Sequence, residues 1–387
     1  MNTYDRAAIL SRYGAAADVI EELLHYNQNP FQCHQLNLAQ HFPLASEPHV
    51  TTWEMYRQHA QAEGVLATLR DRLVQLQFPI QAGMSQKVAY RAATRKGQPT
   101  THMPEATGLV LQQPGALQLL IYPSLAGKIP VIMAECRDDF VALVQALTMR
   151  NEPHPIPDSM GALTIAGYNN WDRIRHYRAQ WERNQRQLIG PHQWQAEFKR
   201  LIPQTQLYQD CFILLSRGNY SGVAAADMGL AVNEWQQLSF MIRLEHECTH
   251  YFTRRWLHSM RNNILDELIA DYQGIVVATQ GRYHADWFLR FMGLEAFPSY
   301  RVGGRLENYR GQPPLSDQAF KILQALVKDA AVNLASFNVA YQDTWAEPRE
   351  RALLLMALTS LSLEELANLQ ENALVETWQR FKRAIAP

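Results

Sequence analysis

From Asn233 to Leu257 the chain runs without a Pro or a Gly, and inside that run lies His246-Glu247-Cys248-Thr249-His250, the pattern H-E-x-x-H. A breaker-free stretch of this length commits the middle of the chain to one continuous helix, and Asn233 with Gln236 three residues later resembles a capping box at its start. The motif then fixes what the helix must face. Residues four apart on an α-helix share a face, so both imidazoles can bind one ion while the carboxylate after the first His flanks the second. Zinc held by His nitrogens and a carboxylate lowers the pKa of its water to about 7. Glu247 is placed to take the proton from such a water. Leu238, Met241, Cys248, Phe252 and Trp256 repeat along another side, so the helix reads as buried, with a packed back and a polar front lining a cavity.

Two His do not complete a zinc site, and counting outward tests where a third ligand could come from. A third His six residues on would need Gly at 253 and His at 256, where the chain has Thr253 and Trp256. That scheme is excluded. A carboxylate from a following helix is the other common solution, and Asp266-Glu267-Leu268-Ile269-Ala270-Asp271 supplies one. Leu265, Leu268, Ile269, Tyr272, Ile275 and Val276 repeat at helical spacing, while Glu267, Ala270, Asp271, Gly274 and Ala278 form a second stripe, acidic at one end and small along its length. Small residues let two helix backbones approach closely, which would bring Glu267 to an ion held by His246 and His250. Asp271, one turn on, could accept the second N–H of a ligand His and fix its tautomer.

These residues resemble the gluzincin superfamily, the thermolysin-like zinc metallopeptidases, whose pattern is H-E-x-x-H on one helix and E-x-x-x-D on the next. The resemblance covers about residues 207–280 and implies His246, His250 and Glu267 as metal ligands, Glu247 as general base and Asp271 as the partner behind a ligand. It departs from the pattern in one respect: only sixteen residues separate His250 from Glu267, which leaves Asp266 and Asp271 as alternative third ligands. In gluzincins a sheet-edge strand near the site pairs with extended peptide. Asp210 to Ser216, a short apolar run ended by Arg217, Gly218 and Asn219, is readable as that strand or as an ordinary core strand. A group to stabilise a developing oxyanion is sought in Tyr283 and His284, read as a continuation of the second helix, and in the Gly-hinged loop Tyr300 to Tyr309. Arg305 and Tyr309 are the choices from that loop.

The fold class expected is α+β and predominantly helical: a zincin-like metallopeptidase core with a small β-sheet and a helical C-terminal region. Residues 1–77 read as helical; Thr107 to Leu111, Leu117 to Tyr122 and Ile129 to Ala134 read as strands; Asp138 to Arg150 and stretches near 170–188 and 191–201 read as helices. Pro153, Pro155 and Pro157 mark the best boundary, giving an N-terminal α+β region (1–152), a catalytic region (153–312) and a C-terminal helical region (313–387). Ser362 and Glu365 form a capping box for the last helix.

Composition narrows the function classes. With 47% hydrophobic and 19% charged residues and a net charge of −1, the chain carries no global basic field to draw it to nucleic acid or an acidic membrane. Arg173, Arg175, Arg178, Arg183 and Arg186 cluster on one helix, but with Asp172 and Glu182 among them they read as a solvated face. No secretory or membrane-spanning segment is visible, and Cys33, Cys136, Cys211 and Cys248 show no metal spacing, so free thiols in a reducing cytoplasm are expected. No nucleophile elbow, P-loop or dinucleotide-binding glycine pattern occurs. Three readings stay open. One is a zinc hydrolase cleaving a peptide or small amide substrate; another is a non-haem iron oxygenase with Fe2+ on the same two His and one carboxylate; the third is a non-catalytic binding protein. Substrate identity and oligomeric state are not legible.

Overall fold

The computed structural model describes residues 3–29, 31, 42–185, 191–259, 263–368 and 372–385. It is an α+β protein, mostly helical, in two compact units: Met1–Leu44, Ser124–Ala126 and Asn219–Pro387 in one, Ala45–Pro123 and Gly127–Gly218 in the other. This grouping differs from the three-part division read from the sequence. The Pro-rich stretch at 153–157 lies inside the second unit, because the strands on either side of it join one sheet. The helices beyond residue 313 share a unit with the H-E-x-x-H helix.

The second unit holds the sheet. Its strands are β1 (Gln118–Ser124), β2 (Gly127–Ala134), β3 (Ala162–Asn169) and β4 (Gln209–Ser216), in the order β1-β2-β4-β3. β4 runs parallel to β2, with Val131 opposite Ile213, and antiparallel to β3, with Leu163 opposite Leu214. The apolar run Cys211 to Leu215 is therefore an interior strand, buried on both faces as a continuous hydrophobic run should be. It is flanked on both sides by strands, so it is not the sheet edge that a peptide could extend. β3 had no sequence counterpart: Gly167, at φ 74°, sits in a bulge between Ala166 and Tyr168 and interrupts the alternation that marks a strand. Thr107 to Leu111 is not a strand. Its backbone donates from Gly108 to Gln77 and from Leu109 to Leu76, tying it to a short 3-10 turn instead of the sheet. Phe140, Leu143 and Val144 of the helix Arg137–Thr148 and Trp53 of the helix His49–Glu63 complete the core of this unit with Phe212 and Leu214.

The first unit is helical. The H-E-x-x-H motif lies on the helix Val232–Leu257, and the acidic segment on the helix Ile264–Ala278. The first of these begins one residue before Asn233, with Ala231 as N-cap and no side-chain cap, so the expected Asn233–Gln236 box does not form. From Ile242 to Thr253 every residue is buried, on all sides of the helix. The second is capped by Asn263, whose side chain accepts from the Asp266 N–H at 3.0 Å. It ends at Ala278, so Tyr283 and His284 do not continue it. Tyr283 lies in the following connection, its N–H on Asn338, and His284 occupies the N-cap position of the helix Ala285–Met292 without a side-chain cap bond. The Ser362–Glu365 capping box is present but starts the five-residue helix Leu363–Ala367; the last helix is Ala373–Ile385. Arg6 of the helix Thr3–Arg12 clamps that short helix through Glu364, at 3.1 Å. No helix among the described residues is long and apolar enough to cross a membrane.

Gly274 sets the spacing of the two site helices. A Cβ there would lie 2.6 Å from the Ile242 carbonyl oxygen, so only a residue without a side chain allows the backbones to meet. Counting in opposite directions from that contact brings Glu267 level with Thr249, between the two His, and sets Asp266 opposite His250 and Asp271 opposite Glu245, beside His246. The small stripe seen in the sequence is thus a register device.

Candidate metal centre

Three side chains converge. His246 and His250, one turn apart, turn their Nε2 atoms toward each other at 3.0 Å, and the Glu267 carboxylate lies 3.5 Å from the first and 3.6 Å from the second. Each offers one ligand atom, all within 4.8 Å of one another, and all three residues are buried.

The far side of each imidazole decides which nitrogen is free. His246 Nδ1 is 2.7 Å from Asp271 Oδ1, and His250 Nδ1 is 3.2 Å from Asp266 Oδ2. A carboxylate at Nδ1 favours the tautomer protonated there, which leaves the two Nε2 lone pairs aimed at one another and at a third acceptor. Facing acceptors repel unless a cation stands between them. The Asp266 contact lies outside hydrogen-bond geometry, and among the described residues neither its oxygens nor His250 Nδ1 have another hydrogen-bond partner. Of the three acids weighed as third ligand, Glu267 is the one on the Nε2 side; Asp266 and Asp271 stand behind the rings.

Without an ion, a proton takes its place. Burial opposes charging His250, yet the Asp266 and Glu267 carboxylates outweigh it and hold the ring cationic well above the usual imidazole range. Burial likewise works to raise the Glu267 carboxyl, but the hydrogen bond from His250 and the charges of His246, His250 and Arg305 hold it well below the usual carboxylate range. Burial pushes Asp266 up. The pocket is therefore arranged for positive charge at its centre. Glu247, next to His246 on the same helix, is also buried.

Both residues chosen from the Gly-hinged loop are brought to the site, by the 3-10 turn Arg305–Tyr309. Arg305 is directed at the support behind His246: Nη2 donates to Asp271 Oδ2, and Nη1 to the Tyr220 hydroxyl at 3.1 Å and to Ser221 Oγ at 2.9 Å. Tyr309 hydrogen-bonds Glu267, and burial together with that carboxylate pushes its phenol far up, so it stays a proton donor. It also lines an open cavity of about 630 Å³ with Tyr26, Asn263, Asn308 and Arg310. Tyr220, which the sequence reading missed, donates to Asp271 and stacks edge-on against Phe291, 5.0 Å between ring centroids. No spacing rule points to it. It lies outside both site helices and arrives through the turn Tyr220–Gly222, where Ser221 adopts φ 51°.

The class this geometry defines is a buried pair of antiparallel helices presenting two imidazoles and one carboxylate to a common point, each imidazole backed by its own aspartate. The chain belongs to the family described as "Family of unknown function (DUF7005)", which matches residues 8–370 and so takes in both site helices and the turn that carries Arg305 and Tyr309. No curated protein and no solved structure matches it.

Proposed function

We propose that this protein is a zinc-dependent hydrolase with a zincin-like core, in the manner of the gluzincins, acting on a peptide or other amide bond. The observation that carries the reading is the pair of Nε2 atoms 3.0 Å apart facing Glu267, with both Nδ1 atoms set against carboxylates. Two imidazoles and one carboxylate suit zinc and leave a coordination position for water or substrate.

His246, His250 and Glu267 would hold the ion, which when bound supplies the Lewis acidity that polarises a carbonyl and acidifies water. Glu247 then takes the proton from the attacking water and delivers it to the leaving nitrogen. Asp271 keeps His246 in the Nδ1–H tautomer through a hydrogen bond, and the Asp266 carboxylate favours the same tautomer of His250 by its charge. Arg305 and Tyr220 keep Asp271 in place, and Tyr309, which also lines the open cavity, offers its hydroxyl to Glu267.

Elemental analysis of the purified protein, paired with a mixed fluorogenic peptide assay, tests this. One zinc per chain, with cleavage lost in Glu247→Gln while zinc is retained, is the expected result. Stoichiometric iron with oxygen consumption, or no metal at all, would overturn it.

A further inference from the structure

The arginine-rich helix read from the sequence as a solvated face does something more specific. Arg173 is buried and paired with Asp210 at 2.6 Å, but Arg175 and Arg178 turn outward onto a cleft of about 430 Å³ within the sheet unit. Arg95 and Lys96, the last residues of the helix Val88–Lys96, approach the same cleft from another side. No acidic residue lines it among the described residues. Arg175 and Arg178 each lean on one carboxylate outside the lining, Asp172 at 3.3 Å and Glu182 at 2.7 Å, whereas Arg95 and Lys96 are exposed and have no ion pair among the described residues. In a chain of net charge −1, this is a local concentration of positive charge at a concave surface.

The floor is aromatic. Trp171 and Phe198 lie near parallel, 16° between planes, and Trp194 meets Phe198 at 5.8 Å; all three are only partly buried. Arg178 sits over the Trp194 ring at 5.1 Å. Trp171 is held in place: its Nε1 donates to the Thr94 carbonyl at 2.7 Å, and the Gly97 backbone is so close to the indole that a Cβ would lie 2.2 Å from it. Gly97, at φ 63°, is the residue that lets the helix end turn across the ring. Partly exposed aromatic rings are sequence-tolerant stacking platforms for planar ligands, and unpaired cations beside them select one that carries negative charge.

We propose that this cleft binds a free nucleoside phosphate, its base stacked on the Trp171–Trp194–Phe198 floor and its phosphate held by Arg95, Lys96 and Arg175. The volume suits one nucleotide, within the usual range for small-molecule sites, and the chain lacks the wider basic field that would track a strand. The site lies wholly in the sheet unit and does not depend on the metal reading.

Isothermal titration of the full chain with AMP, adenosine, inorganic phosphate and a short oligoadenylate tests it. Expected are saturable AMP binding that weakens with added salt, and binding weaker by about tenfold or more for adenosine and for inorganic phosphate. Trp194→Ala should weaken AMP by about tenfold. Because that ring also packs on Trp181 and Phe198, the surface double variant Arg95→Ala with Lys96→Ala, which threatens no packing, should give a comparable loss with an unchanged melting temperature. Inorganic phosphate or adenosine binding as tightly as AMP, oligoadenylate binding more tightly than AMP, or a double variant indistinguishable from the native chain would each overturn the assignment.

Discussion

Each unit buries a cluster of charged and hydrogen-bonding side chains, and the two clusters close differently. In the sheet unit, Asp210 accepts from Trp53 Nε1 at 2.8 Å, Asn170 Nδ2 at 2.7 Å and Arg173 Nη1 at 2.6 Å, while Asp172 accepts from the Tyr56 hydroxyl at 2.8 Å. Every carboxylate there meets donors, so both acids are satisfied by protein atoms alone. In the helical unit, two imidazole nitrogens and a carboxylate face one another, and apart from the Tyr309 hydroxyl on Glu267 the donors lie behind them. A buried set of acceptors so short of donors is unfavourable by itself and becomes favourable around a cation or a proton. Burial and charge are common to both; which way the lone pairs point separates a structural network from a candidate binding site.

Four measurements can break or sharpen that contrast. On metal binding the largest effect is expected from His246→Ala, which should abolish stoichiometric zinc and the rise in melting temperature that zinc gives the native chain; an ion at 100 times its Kd contributes about 2.7 kcal/mol. Retention of zinc by this variant would place the ion elsewhere. Next, Asp210→Ala leaves the Arg173 guanidinium buried without its partner and should cost about 3–5 kcal/mol in denaturant unfolding without changing metal content. A loss of metal in that variant would show that the two clusters are not independent.

Smaller again is Asp271→Asn, which keeps the shape but removes the carboxylate behind His246 and should weaken zinc affinity about 10–100-fold, read by chelator competition. The smallest effect concerns His49, buried beside Asp210. Burial holds it below its ordinary 6.5, against the pull of Asp210 and Glu47. A histidine whose pKa is lower in the folded state contributes fully above the unfolded value, and that contribution is lost as pH falls below about 6.5, where only the unfolded chain takes up the proton. Comparing urea midpoints at neutral and mildly acidic pH, His49→Gln should lose less stability than the native chain; an equal loss in both would remove His49 from the account.

Much of the candidate site could be read without coordinates, for a local reason. His246, Glu247, His250, Glu267 and Asp271 lie on two helices, where side-chain direction follows from spacing, and Gly274 announced the close approach that sets their register. Arg305 and Tyr309 could be named only as donors in a Gly-hinged loop, since nothing local says where a loop returns. Asp266 was visible, but as a rival ligand and not as the partner of His250. Tyr220 carried no signal. The strand β3 was hidden by a bulge, and the apolar run Cys211 to Leu215 could not declare itself interior or edge, because that depends on which strands pair beside it.

The H-E-x-x-H run therefore determined by itself that one face of one helix carries two imidazoles and a carboxylate, because helical periodicity is a property of the chain alone. That the Nε2 atoms face each other and not solvent, that Glu267 and not its acidic neighbours stands before them, and that Arg305 supports Asp271, only the tertiary structure decided. Those facts depend on how close two helices pack and where distant turns come to rest. Both are set by the burial of whole surfaces, which no single stretch of sequence encodes.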